Sequence, residues 1–178
     1  TVSQVYAQID SDIANAISLL NGTTQQQPHH IGYAVAQGLQ ARIALVEEDW
    51  TKAYNSALEA INTCGKSVQA VDDFKGLNDV TAGNVMWGAA IPTEEDGMYA
   101  SFWAHMSTDI AYGQRAPKQI SKWLYNKIEA TDSRRSWWTE NTTGYGTDAL
   151  VQNKFSVKDG TEWDGDYIYM RVEEMYLT

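Results

Sequence analysis

The chain has 178 residues, 43% of them apolar, and a formal net charge of −10 from 13 Lys plus Arg against 23 Asp plus Glu. That apolar content supports a packed core and excludes a disordered chain, and the acidic balance excludes a nucleic-acid-binding face, which needs clustered cations. A lone cysteine, Cys64, excludes an intrachain disulfide framework, and no apolar run is long enough to cross a bilayer as a helix.

Residues 2–20 read as an amphipathic helix. Val5, Ile9, Ile13, Ala16, Ile17 and Leu20 form its apolar stripe, and Asn21-Gly22 supplies the stop. A polar loop, 23–28, follows. Residues 31–64 read as a helical hairpin. Asp49 is placed to N-cap its second helix, with Lys52 rather than Glu at the reciprocal position, so only half of a capping box is present. Ala41, Ala53, Ala57 and Ala60 stand where two helices cross closely, and Trp50 and Tyr54 are expected to fill space beside them. This spacing resembles a tetratricopeptide-type pair. A single hairpin plus one helix is too little for a solenoid, whose repeats bury their faces on neighbours.

After Gly65 the texture turns irregular. Residues 84–92 read as a buried run. Residues 118–129 read as a helix, with Ile120, Trp123, Leu124 and Ile128 as its stripe. Residues 150–163 suit a hairpin turning at Asp159-Gly160. A last helix is expected from about Tyr167, because Ile168, Val172, Met175 and Tyr176 share a helical face.

The order of these elements carries a resemblance. Tyr6 to Leu20 has the form Y-x-x-I-x-x-D-I. Ala41 to Ile61 carries A-R-I-A-L with D-W-x-x-A. Tyr125 to Arg134 ends in D-x-R at Asp132 and Arg134, and Met170 to Leu177 holds R-x-x-E-x-Y-L. Together they resemble the SusD/RagB-like outer-membrane lipoproteins of Bacteroidetes. Two positions depart from that pattern. Glu173 stands where the family has Ala, and Cys64 sits at a helix end rather than in a lipobox.

The resemblance implies a mainly α fold: a tetratricopeptide-like helical scaffold with a large irregular, loop-rich insert and little β. Residues 1–64 would be scaffold, 65–166 the ligand-binding insert with one helix at 118–129, and 167–178 the start of a further scaffold helix. Family members are two to three times longer, so an internal fragment is expected. The implied function is non-catalytic capture of a glycan at the cell surface and its delivery to a TonB-dependent SusC-like transporter. The implied location is the outer membrane, through a lipid anchor whose cysteine is not in this chain. Arg171 and Glu174 would be structural ion-pair or hydrogen-bonding residues.

Seven Trp and ten Tyr make the chain rich in large aromatics. Pyranose rings present C–H faces that pack on indole and phenol rings, and their hydroxyls need polar neighbours. Tyr99, Trp103 and Tyr112, with His105, Asp109 and Gln114, fit that chemistry in residues 94–114. Trp137 and Trp138 are a second candidate pair; being adjacent, at most one can face a core. Arg134 is expected to pair with Asp132 or a scaffold carboxylate. The competing reading of each aromatic is that it packs a long loop onto the helices.

Other chemistries lack their residues. "TCGKS" (63–67) ends like a phosphate loop, but Ala60 occupies the position of the required glycine. No paired cysteines or H-x-x-x-H exist to hold zinc. Residues 159–166 are acidic without EF-hand spacing. A glycosidase needs two carboxylates across a cleft, and no motif marks such a pair. The expectation is therefore a binding protein with no enzyme activity, cofactor or metal. The alternative is a helical-repeat scaffold for protein–protein interaction.

Overall fold

The computed structural model describes residues 1–71, 76–91, 101–108, 111–140, 149–158 and 165–178, and of residues 111 and 112 the backbone only. The architecture is mainly α. The chain forms two compact units. One holds Thr1–Val68, Val80–Ala89 and Ile168–Thr178; the other holds Gln69–Asp79 and Ala90–Tyr167. Residues 80–89, expected to lie in the insert, thus belong with the helical scaffold.

The first unit is built on helices α1 (Val2–Leu20), α2 (Tyr33–Val46) and α3 (Trp50–Thr63). Gly22, at φ +77°, takes the chain out of α1 in a conformation that glycine adopts at little cost. The Asp49 carboxylate accepts from the Lys52 backbone N–H at 3.0 Å, capping α3 as its sequence predicts. Ala41, Ala53, Ala57 and Ala60 are all buried in the α2/α3 seam. Small side chains there let the two backbones approach. Trp50 and Tyr54 do not fill the seam as expected. They lie round the helix from Ala53, Ser56, Ala57 and Ala60, and are 63% and 61% exposed.

Strand β1 (Val85–Ala89) pairs with β5 (Tyr167–Arg171), which runs directly into helix α7 (Val172–Leu177). The expected helix from Tyr167 therefore begins five residues later. Ile168 is a strand residue, and only Val172, Met175 and Tyr176 lie on helix. Val35, Met86, Met170, Val172 and Met175 form the core with the alanines. A Cβ on Gly38 would stand 2.5 Å from Met170 Sδ, so a larger residue there would have to push the methionine aside. Arg42 of "ARIAL" donates twice to the Glu174 carboxylate of "EEMYL", at 2.5 and 2.6 Å, and once to the Tyr169 carbonyl. Two motifs 132 positions apart are thereby one structural clamp. The Glu174 hydrogen bond holds the Arg42 guanidinium above its ordinary pKa. Glu173 accepts from buried Asn84 at 2.8 Å.

The second unit contains α4 (Phe102–Met106), α5 (Ala111–Arg115), β2 (Gln119–Ser121), α6 (Lys122–Tyr125), a 3-10 turn (Ser133–Trp137), β3 (Trp138–Glu140) and β4 (Ala149–Gln152). The three strands form an antiparallel sheet in the order β2-β4-β3, with Ile120 opposite Leu150 and Thr139 opposite Val151. The central strand is buried, and its Gln152 amide bonds the Met106 and Phe155 carbonyls.

One expectation fails in this unit. The helix read at 118–129 is a strand followed by a four-residue helix. Ser121 separates the two, its hydroxyl accepting from the Leu124 N–H. Residues 149–152 pair with β2 and β3, which precede them in the chain. The turn expected at 159–160 lies outside the described residues.

Candidate functional site

Ser101 caps α4 by accepting from the Ala104 N–H at 3.1 Å. The helix then projects Trp103 inward. Trp103 is 3% exposed, and its indole N–H donates to the Gly165 carbonyl at 2.6 Å. Phe102 stands edge-on to it at 5.0 Å, and Phe155 and Tyr167 lie at 6.4 and 6.3 Å. Val157 completes this small core. A Cβ on Gly165 would fall 2.6 Å from the indole ring, so the backbone at Gly165 lies close against the tryptophan. Trp103 thus shows solvent no ring face. The expected sugar platform is instead a core residue, because burial with a satisfied N–H is what this position offers an indole.

His105, in the last turn of α4, is half-buried. A Cβ on Gly113 would collide with the Ser107 carbonyl oxygen at 1.6 Å, so α5 begins with its backbone pressed on the end of α4. That contact sets the course of the chain at Tyr112, whose side chain is not described. Tyr99 and Asp109 lie outside the described residues.

Trp137 ends the 3-10 turn and Trp138 opens β3, opposite Gln152. Both are half-buried rather than one in and one out. The Lys154 ammonium sits 4.9 Å from the Trp137 ring centroid. Arg134 pairs with Asp132 as expected, with Nε at 3.0 Å from both carboxylate oxygens and Nη2 at 2.5 Å. The Arg134 side chain, aided by its backbone N–H, lowers the Asp132 carboxyl to about 2. Asp132 also caps the turn that carries Trp137.

Trp123, expected on the apolar stripe of a helix over 118–129, is 70% exposed, and its neighbour Leu124 is 48% exposed. The signal was Ser121, a cap residue inside the supposed helix, which resets the helical face. Lys127 lies 5.7 Å from the Trp123 ring centroid. Lys127 also lines a groove of about 440 Å³ with Leu124, Ile128, Glu129, Asp132 and Arg134. Arg135 stacks on Tyr125 at 4.3 Å and donates to the carbonyl of Ile128, a lining residue, at 2.6 Å.

The first unit has a cavity of about 360 Å³ walled by the loop 23–28 with Tyr33, Thr63, Cys64, Lys66 and Met86. Gln25 shapes it by donating to the Gln27, His30 and Met86 carbonyls. The Cys64 thiol bonds the Ile61 carbonyl and packs on the core. Among the described residues no group of three or more His, Cys, Asp or Glu is arranged to hold a metal. Asp166, from the acidic stretch considered for calcium, is buried and accepts from the Ile91 N–H and Lys158. No described helix is long and apolar enough to cross a membrane.

The fold and these sites define a class, a helical scaffold from which the chain departs into an aromatic-rich second unit and returns through β5 and α7. That architecture is the SusD-like fold. Over 99% of the chain matches a SusD-like carbohydrate-binding protein from Bacteroides vulgatus, at 22% identity and a TM-score of 0.78. A SusD superfamily protein from Bacteroides thetaiotaomicron matches at 21% and 0.72, and a surface glycan-binding protein from Bacteroides uniformis at 14% and 0.65. The chain spans 38%, 42% and 44% of the lengths of these three. No family model and no curated protein sequence matches it.

Proposed function

We propose that this chain is part of a non-catalytic, surface-exposed glycan-binding protein of the SusD type. In this reading it is anchored to the outer membrane by lipid and delivers its ligand to a TonB-dependent SusC-like transporter. The observation that carries the reading is the whole-chain match to a SusD-like carbohydrate-binding protein at a TM-score of 0.78. The ligand face is assigned to the second unit. Tyr99, Tyr112, Trp137 and Trp138 supply ring faces there, and His105 and Asp109 meet hydroxyls. Rings suit this task because pyranose C–H groups pack on π-faces, and nearby polar groups replace the water lost from the hydroxyls.

Affinity electrophoresis through gels containing different polysaccharides tests the reading. Retardation of the wild type by at least one glycan, and its loss in a Trp137→Ala/Trp138→Ala double variant, is expected. Unchanged retardation of that variant removes both residues from the site.

A second reading, a protein-docking scaffold, draws on one feature. Trp50, Tyr54 and Leu58, at i, i+4 and i+8 of α3, are 63%, 61% and 42% exposed. It predicts capture of a membrane protein by the chain, abolished by Trp50→Ala/Tyr54→Ala, with no glycan retention. Capture that survives the double variant rejects it.

A further inference from the structure

We propose that Trp123 and the groove beside it form a binding subsite for a neutral pyranose residue. This rests on the glycan-binding reading and adds to it a location and a sugar class. Four observations carry it. First, Trp123 is 70% exposed, whereas Trp103 is buried and Trp137 and Trp138 are half-buried. A tryptophan left in water keeps its ring accessible for stacking.

Second, Lys127 links the ring to a groove: its ammonium stands 5.7 Å from the ring centroid, and its side chain lines the groove with Leu124. A ligand that packs on the indole is therefore within reach of the Lys127 ammonium. Third, the groove is lined by Leu124 and Ile128 and by Lys127, Glu129, Asp132 and Arg134. Apolar groups suit C–H faces, and ammonium and carboxylate groups suit hydroxyls, which both donate and accept. Two cations oppose two carboxylates, so the lining has no net charge to favour an acidic sugar. Fourth, the support is tied down. Ser121 caps α6, Arg135 fixes the Ile128 carbonyl, and Arg134 closes on Asp132. A fixed platform loses little entropy when it binds.

The test is affinity electrophoresis of the wild type, Trp123→Ala, Trp123→Phe and Trp50→Ala in gels with neutral or acidic polysaccharides. Near-UV circular dichroism of each variant confirms the fold. The proposal predicts retention by a neutral polysaccharide, little changed by added salt. Trp123→Ala should weaken it about fivefold and Trp123→Phe by less, since stacking on an aromatic face is worth on the order of 1 kcal/mol. Trp50→Ala, on an equally exposed indole of α3, should bind as wild type.

Wild-type affinity in Trp123→Ala, with neutral-glycan retention intact, overturns the subsite and leaves the glycan reading standing. If Trp123→Ala instead loses only capture of a membrane protein, the face is a protein contact and the proposal fails. Retention by acidic polysaccharides alone, abolished by salt, overturns the sugar class. Absence of retention by any polysaccharide removes the glycan reading and the subsite with it.

Discussion

Replacing Trp103 with alanine separates a core role from a ligand role. The side chain is 3% exposed and lies among Phe102, Phe155, Tyr167 and Val157. Truncating a buried tryptophan costs about 3–5 kcal/mol, from lost transfer free energy and the cavity left behind. The loss also orphans the Gly165 carbonyl, which accepts the indole N–H at 2.6 Å. An unsatisfied buried acceptor alone costs roughly 1–3 kcal/mol, so the upper part of the range is expected. Against a domain stability of about 5–15 kcal/mol this is a large fraction. Urea unfolding followed by near-UV circular dichroism measures it. Trp103→Phe keeps most of the ring volume and should lose about 1–2 kcal/mol, mostly the hydrogen bond. An unfolding midpoint unchanged in Trp103→Ala, together with lost glycan retention, refutes the reasoning and restores the ring to the ligand face.

The same contact is tested from its other side by Gly165→Ala. The added Cβ meets a rigid indole at 2.6 Å and should destabilise by about 1–3 kcal/mol in the same urea assay. Asp49→Ala removes the cap of α3 and should cost about 1 kcal/mol, read as a lower urea midpoint with little change in helical signal under native conditions. Asp132 should titrate near 2 by carboxyl carbon NMR, below the ordinary 3.8, and Arg134→Ala should return it upward. Because its folded pKa is depressed, its contribution to stability is present above about pH 3.8 and is lost as pH falls through about 2.

What was legible in the sequence was local. The 3.6-residue periods of α1 and of the α2/α3 hairpin, the Asp49 cap and the alanine seam each depend on residues within a few turns of one another. The expectation at 118–129 failed because Ile120 is held by a strand roughly thirty residues further on, and pairing across that distance leaves no local period. Ile168 failed in the same way, since its strand partner is β1. Trp103 is buried and Trp123 exposed, the reverse of what their positions suggest, for one reason. An aromatic in an irregular segment carries no signal of which way it faces until its neighbours are placed. The family-like motifs were legible, but their purpose emerged only in three dimensions. Arg42 with Glu174, and Asp132 with Arg134, are clamps that hold the scaffold and the turn carrying Trp137.

The central claim is that this chain binds glycan without cleaving it. It is tested most directly by incubating the purified chain with a panel of bacterial, plant and host polysaccharides, then assaying retention and reducing-end release on the same samples. The account predicts retention by at least one polysaccharide with no new reducing ends. Release of reducing ends, or a folded chain retained by none of the panel, contradicts it.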